Sequence, residues 1–174
     1  MIANKQTQVS KDVANKSIVV VREFDAPIEE VWNAWTDKNL LEQWWAPKPW
    51  KAKTKTMDFR EGGLWLYSMV GPDGTKSFCR ADFKTIVQNK SYTGDDAFCD
   101  ENGNITHDIP GMHWKSEFRP TDTGTRVDVE ITFATEADME KIIEMGFEAG
   151  FTMAHGNLDE LLLDPASSPF ERTM

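Results

Sequence analysis

Residues 136–163 read EADMEKIIEMGFEAGFTMAHGNLDELLL, and the reading of this stretch decides the fold. Apolar residues recur three and four positions apart, the period of a helix with one buried face. Thr135 stands just before the run, and Glu136 and Asp138 follow it, a capping-box-like start. Pro165 bars continuation. One long helix over 136–163 is therefore expected. On a wheel of about 100° per residue, its inward stripe is Met139, Ile143, Gly146, Gly150, Ala154, Asn157 and Leu161. Ile142, Phe147, Phe151, Met153 and Leu158 rim the stripe. Lys141, Glu144, Glu148, Thr152, His155 and Asp159 take the opposite side.

The middle of that stripe is small: Gly146, Gly150, Ala154. A glycine inside a helix costs about 1 kcal/mol relative to alanine, so two on one buried face need a reason. Either the helix packs closely on a strand, or the missing side chains leave room for a ligand rimmed by Phe147, Phe151 and Met153. Asn157 is a polar group on the same face. It needs a hydrogen-bond partner from backbone, water or ligand.

Upstream, residues 17–24 (SIVVVREF) read as a β-branched strand. Pro27 opens a short helix over 27–35, since its missing N–H has no helical partner at that position. A second helix over 37–45 turns Leu40, Leu41, Trp44 and Trp45 inward and stops at Pro47 and Pro49. Strands are then expected at 51–59, 64–70, 76–87, 91–98, 112–119 and 125–133. Gly62-Gly63 and Gly71-Pro72-Asp73-Gly74 supply turns between them. Residues 1–16 and 164–174 read as tails, leaving one domain over 17–163. The order gives an α+β fold: seven antiparallel strands wrapped around the final helix.

Two registers follow. A loop over Arg119–Gly124 sets Phe118 opposite Thr125 and Trp114 opposite Val129. One face then carries Trp114, Phe118, Val127, Val129, Ile131 and Phe133. A turn at Gln88-Asn89-Lys90 sets Cys79 opposite Cys99, as neighbours without a bond. In the strand at 64–70, alternation puts Trp65, Tyr67 and Met69 on one side. With Trp114 they form the expected sheet wall of a cavity.

Seven Trp and ten Phe among 174 residues need a core or a pocket to sit in. A net charge of −10 repels phosphate backbones and anionic lipid, which argues against nucleic acid and membrane surfaces as partners. The run Ile18–Val21 is too short to span a bilayer, and residues 1–6 lack the apolar core of a secretion signal. A cytoplasmic protein with two free, buried thiols is expected. His107, His113 and His155 are scattered without metal spacing, and neither a nucleophile elbow nor a phosphate loop is present. No catalytic residue, metal or cofactor is assigned.

Several segments resemble one superfamily. Phe24-Asp25-Ala26-Pro27-Ile28-Glu29-Glu30-Val31-Trp32 resembles the D-A-P-x-x-x-V-W opening of START-like, or SRPBCC, proteins. Leu41-Glu42-Gln43-Trp44-Trp45-Ala46-Pro47 resembles the L-x-x-W-W-x-P second helix, and Asp58-Phe59-Arg60-Glu61-Gly62-Gly63 the D-x-R-x-G-G turn. Gly146-Phe147, Gly150 and Leu158-Asp159-Glu160-Leu161 resemble the last helix. The branch they most resemble is that of relatives of the activator of the 90-kDa heat-shock chaperone ATPase. The resemblance implies a helix-grip fold, whose members bind lipids, sterols or aromatic products and in some cases cyclise polyketides.

The reading that results is a non-catalytic carrier or sensor of a small apolar or aromatic molecule. Its expected ligand-binding residues are Trp65, Tyr67, Met69, Trp114, Phe147, Gly150, Phe151, Met153, Ala154 and Asn157. Two alternatives stand beside it. One is a cyclase- or hydrolase-like enzyme using a buried acid such as Glu117 or Asp82. The other is an interaction module presenting Trp44, Trp45 and Trp50 to a chaperone or to a second copy of the chain.

Overall fold

A computed structural model describes residues 6–163. The expected tail at 164–174, and residues 1–5 of the N-terminal one, lie outside the described residues. Inside the expected N-terminal tail, Gln8–Asp12 forms strand β1. It pairs antiparallel with β2 (Ser17–Phe24), Val9 opposite Val20 and Lys11 opposite Ile18. Among the described residues the sheet therefore has eight strands rather than seven. β1 holds one apolar residue, Val9, so it has no period-two pattern to read; backbone bonding to β2 holds it in place.

Helix α1 (Ile28–Thr36) follows Pro27 and buries Val31, Trp32, Ala34 and Trp35. Helix α2 (Lys38–Trp44) is capped by Asp37, whose carboxylate accepts from the N–H groups of Asn39 and Leu40. Six strands follow: β3 (Lys51–Met57), β4 (Leu64–Val70), β5 (Lys76–Val87), β6 (Ser91–Cys99), β7 (Met112–Pro120) and β8 (Thr125–Thr132). The antiparallel order is β1-β2-β8-β7-β6-β5-β4-β3. Edge strand β3 exposes Lys51, Lys53 and Lys55, charges that discourage pairing with another chain.

The expected single helix is two: α3 (Glu136–Glu144) and α4 (Phe147–Leu163). Gly146 has φ +91°, its N–H donates to the Ile143 carbonyl at 3.0 Å, and its own carbonyl accepts from Gly150 N–H at 3.0 Å. It ends one helix in a left-handed conformation and begins the next. The glycine is there for its backbone angle.

The break resets the wheel. His155, expected on the outer side, is 1% exposed, and Met153, expected on the rim, is 48% exposed. The β1–β2 hairpin supplies the reason, because it meets the His155–Asp159 side of α4. Thr7 Oγ1 lies 2.9 Å from His155 Nδ1, and the buried Arg22 of β2 donates both guanidinium N–H arms to Asp159.

Both registers also differ from expectation. β7 and β8 set Phe118 opposite Val127 and Trp114 opposite Ile131, because the loop is shorter than expected and Pro120 still pairs with Thr125. The shift is two residues, so every side chain keeps its face. Between β5 and β6 the expected register holds from Val87–Ser91 to Thr85–Thr93. A bulge then shifts it by one, so Cys79 faces Phe98 and Cys99 faces Phe78. The two cysteines therefore point to opposite faces of the sheet; both are free and buried.

Helices α1, α2 and α4 fill the concave side of the sheet, a helix-grip arrangement. Trp35 meets Phe118 and Phe151 edge-on at centroid distances of 5.7 and 6.2 Å. Trp44 is fully buried, its indole N–H donating to the Ala34 carbonyl at 2.9 Å. Among the described residues, no helix is long and apolar enough to cross a membrane.

Candidate functional site

A cavity of about 260 Å³ lies between the sheet and the junction of α3 with α4. Its construction follows from three local features. Alternation in β4 turns Tyr67 inward, and Met69 lies along the same wall. β7 contributes Met112 and Trp114 by the same rule, and β6 contributes Asp96 and Phe98. The helical roof is thin where the chain breaks: Ile142, Met145, Gly146, Phe147, Gly150 and Phe151 border the space.

The two roof glycines are not pressed onto a strand. A Cβ on Gly146 would meet nothing within 4 Å, and one on Gly150 would come only to 3.8 Å from Pro47. Met145 and Gly146 are exposed on their outer side, so the mouth of the cavity opens at the helix break.

The ten expected binding residues divide. Tyr67, Met69, Trp114, Phe147, Gly150 and Phe151 come together around the cavity. Trp65 instead borders a smaller hollow of about 30 Å³, stacked on Tyr67 at 3.8 Å and donating its N–H to Thr54 Oγ1. Ala154 is buried away from both hollows. Asn157 donates to the Trp44 and Ala46 carbonyls at 3.4 and 3.2 Å, tying α4 to the end of α2. Its partners are backbone, and it faces neither hollow. Met153 lies on the solvent side.

Trp45, Asp96 and Trp114 border both hollows and so form the partition between them. Trp45 donates its indole N–H to the Tyr67 hydroxyl at 3.0 Å and packs edge-on against Phe151 at 5.9 Å. Trp45 and Trp50 are partly buried and Trp44 lies inside the core, so Trp44 is not available to the surface patch expected of an interaction module.

Asp96 is the residue that sequence reasoning missed. Its carboxyl sits in the interior, and its partial exposure arises because the cavity itself admits solvent. Burial pushes its pKa up to about 8, with the nearby charges of Asp95 and Asp82 adding to the effect. It has no hydrogen-bond or ion-pair partner among the described residues. A signal was available: Tyr92, Gly94, Asp96 and Phe98 alternate along β6, and the two rings mark that side as inward. The acids expected in this role point outward instead. Asp82 pairs with Arg80 at 2.7 Å, and Glu117 lies near Lys115 and Arg119.

The other titratable groups of the wall are held neutral. Burial pushes the Cys79 thiol up to about 12, with the Asp96 charge adding to it. Burial also raises the Tyr67 hydroxyl well above its ordinary range. A thiol held protonated is a poor nucleophile. Among the described residues no group of His, Cys, Asp and Glu is arranged to hold a metal ion.

Comparisons with known proteins agree with this geometry. The family described as activator of Hsp90 ATPase homolog 1-like protein matches residues 25–163. A crystal structure of a Mycobacterium smegmatis protein superposes with a TM-score of 0.84 at 30% identity, over 90% of this chain and 96% of that one. A solution structure of an Arthrobacter aurescens protein gives 0.85 at 37% identity, over 93% and 95%. The AHSA1 protein of Silicibacter pomeroyi is 18% identical, with a TM-score of 0.67 over 83% and 95%, and shares the fold. No curated protein matches the chain.

Proposed function

The chain belongs to the activator of Hsp90 ATPase homolog 1-like family, and on that premise we propose that it binds a small apolar or aromatic molecule beneath the helix break, as a non-catalytic carrier or sensor. One observation carries the reading: a cavity of about 260 Å³, walled mostly by aromatic and aliphatic side chains, with its mouth at Met145 and Gly146. Drug-sized ligands occupy roughly 300–1,000 Å³, so the occupant is smaller, with one or two rings. Burial of its apolar surface against Trp45, Trp114 and Phe151 drives association at about 25 cal/mol per Å². Proteins of this fold are diverse in function, so the proposal rests on the cavity and not on the architecture.

A cyclase- or hydrolase-like reaction is the second reading, favoured by Asp96, an inward acid with a raised pKa. It lacks an activated partner, since Cys79 and Tyr67 both stay protonated. Turnover of a bound compound, lost in Asp96→Asn while binding persists, would establish it over the carrier reading.

Thermal unfolding with a panel of small aromatic and aliphatic compounds tests the carrier proposal. A ligand at 100 times its Kd adds about 2.7 kcal/mol, or roughly 5–10 °C for a domain of this size. The variant Gly150→Trp, which fills the cavity from its roof, should abolish the shift. A panel without any stabilising compound sinks the proposal, as does an equal shift in the filled variant.

A further inference from the structure

We infer that the cavity selects an apolar or aromatic molecule carrying a protonated amine, whose ammonium meets the Asp96 carboxylate at the partition between the two hollows. This rests on the cavity being a binding site. Asp96 has no partner among the described residues, and no Lys, Arg or His borders the larger cavity. A buried carboxylate without a countercharge is unfavourable, and a ligand cation supplies the missing charge. Arg80 of the neighbouring strand β5 is spent on the outer face, donating to Asp82 at 2.7 and 2.9 Å.

Three further features favour a cation over a neutral or anionic group. The walls present Trp45, Tyr67, Trp114, Phe147 and Phe151, whose ring faces attract an ammonium. Asp82 and Asp95 lie behind the wall strands and deepen the negative potential at Asp96. The chain as a whole carries −10, which draws cations toward it.

Proton balance sets the cost. Near neutral pH Asp96 holds a proton, since burial first and the Asp95 and Asp82 charges second raise its pKa to about 8. The groups facing it, Tyr67 from β4, Cys79 from β5 and Tyr92 from β6, are raised as well and stay neutral. No titratable side chain of α3 or α4 borders the cavity. When the ammonium docks, the carboxyl proton leaves to bulk water. The penalty is about tenfold in affinity at pH 7 and fades above pH 8.

A charge series at pH 8 tests this by titration calorimetry: 2-phenylethylamine, 2-phenylethanol and phenylacetate. The amine should bind at least about tenfold tighter than the alcohol, as a charge pair reinforced by ring contacts implies, and phenylacetate weakest. In Asp96→Asn, a near-isosteric change, the amine should lose its advantage while the alcohol keeps its affinity. An alcohol binding as tightly as the amine, or an amine advantage retained in the variant, overturns the inference and leaves apolar binding standing. If none of the three compounds binds the wild type, and the wider thermal panel is also silent, the cavity reading falls and takes the inference with it. Because an alcohol that binds the wild type as tightly as the amine overturns the inference by itself, the test stays falsifiable even if the variant folds poorly.

Discussion

Replacing Asp96 by Asn should make the protein increasingly more stable than the wild type as pH rises from 5 to 7. In the folded state the carboxyl titrates at about 8, and its ordinary value is 3.8. Below pH 3.8 both folded and unfolded forms are protonated, and the residue contributes no difference. Between 3.8 and 8 the folded protein holds one proton more than the unfolded chain, so stability falls as pH rises. Above 8 both forms are ionised and the loss is complete. Each pH unit in the window is worth at most about 1.4 kcal/mol, so two units give a ceiling of roughly 2.7. Solvent entering the cavity screens part of this, which puts the expected gain at about 1–2.7 kcal/mol. Urea unfolding of both proteins at pH 5, 6 and 7 measures the difference directly, and subtraction removes every other titrating group. A difference constant to within about 0.5 kcal/mol would refute the reasoning, because it would mean that Asp96 is solvated and ionised throughout.

His155 predicts the opposite limb. Burial, then the Arg22 charge, lowers its pKa to about 3, so stability is full above pH 6.5 and is lost as pH falls toward 3. His155→Gln should flatten that acid limb, at about 1.4 kcal/mol per pH unit, in the same urea series. The two roof glycines should respond with opposite signs to alanine. Gly146→Ala should cost about 1–2 kcal/mol by forcing a Cβ into a left-handed backbone at φ +91°. Gly150→Ala should add up to about 1 kcal/mol, since its Cβ meets only Pro47 at 3.8 Å. Midpoints of chemical unfolding for the pair check both. Arg22→Leu should cost about 2–4 kcal/mol by leaving Asp159, 21% exposed, without its bidentate partner; calorimetric melting measures it.

Much of the architecture was legible because its signals are local. The β-branched run at 17–24 and the turn glycines place strands to within two residues of their bounds, and Pro27 and Pro47 flank the two short helices. Where reading failed, the deciding interaction was distant or carried by backbone. β1 is held by pairing with β2, to which its polar side chains give no clue. The bulge that separates Cys79 from Cys99 lies mid-strand and leaves no compositional mark. Met-Gly after Ile-Ile-Glu is a helix-end signal, but the apolar period continues on both sides and hides it. At the site, ring positions were readable by alternation, and six of the expected residues meet there. Asp96 shares its side of β6 with Tyr92 and Phe98, so its direction is legible by alternation; that it lacks a partner there is not, because that depends on which distant side chains meet it.

From the amino-acid sequence alone follow the α+β class, the order of nearly every element and the alternation of the sheet's inner face. Hydrophobic period, caps and turn residues act within a few positions, so they survive in one dimension. Tertiary structure alone decided that Gly146 breaks the roof, that His155 and Arg22 are buried together under the β1–β2 hairpin, and that one unpartnered carboxyl stands in the cavity wall. These depend on which distant surfaces meet, and burial and dielectric environment are properties of that meeting, absent from any single stretch of chain.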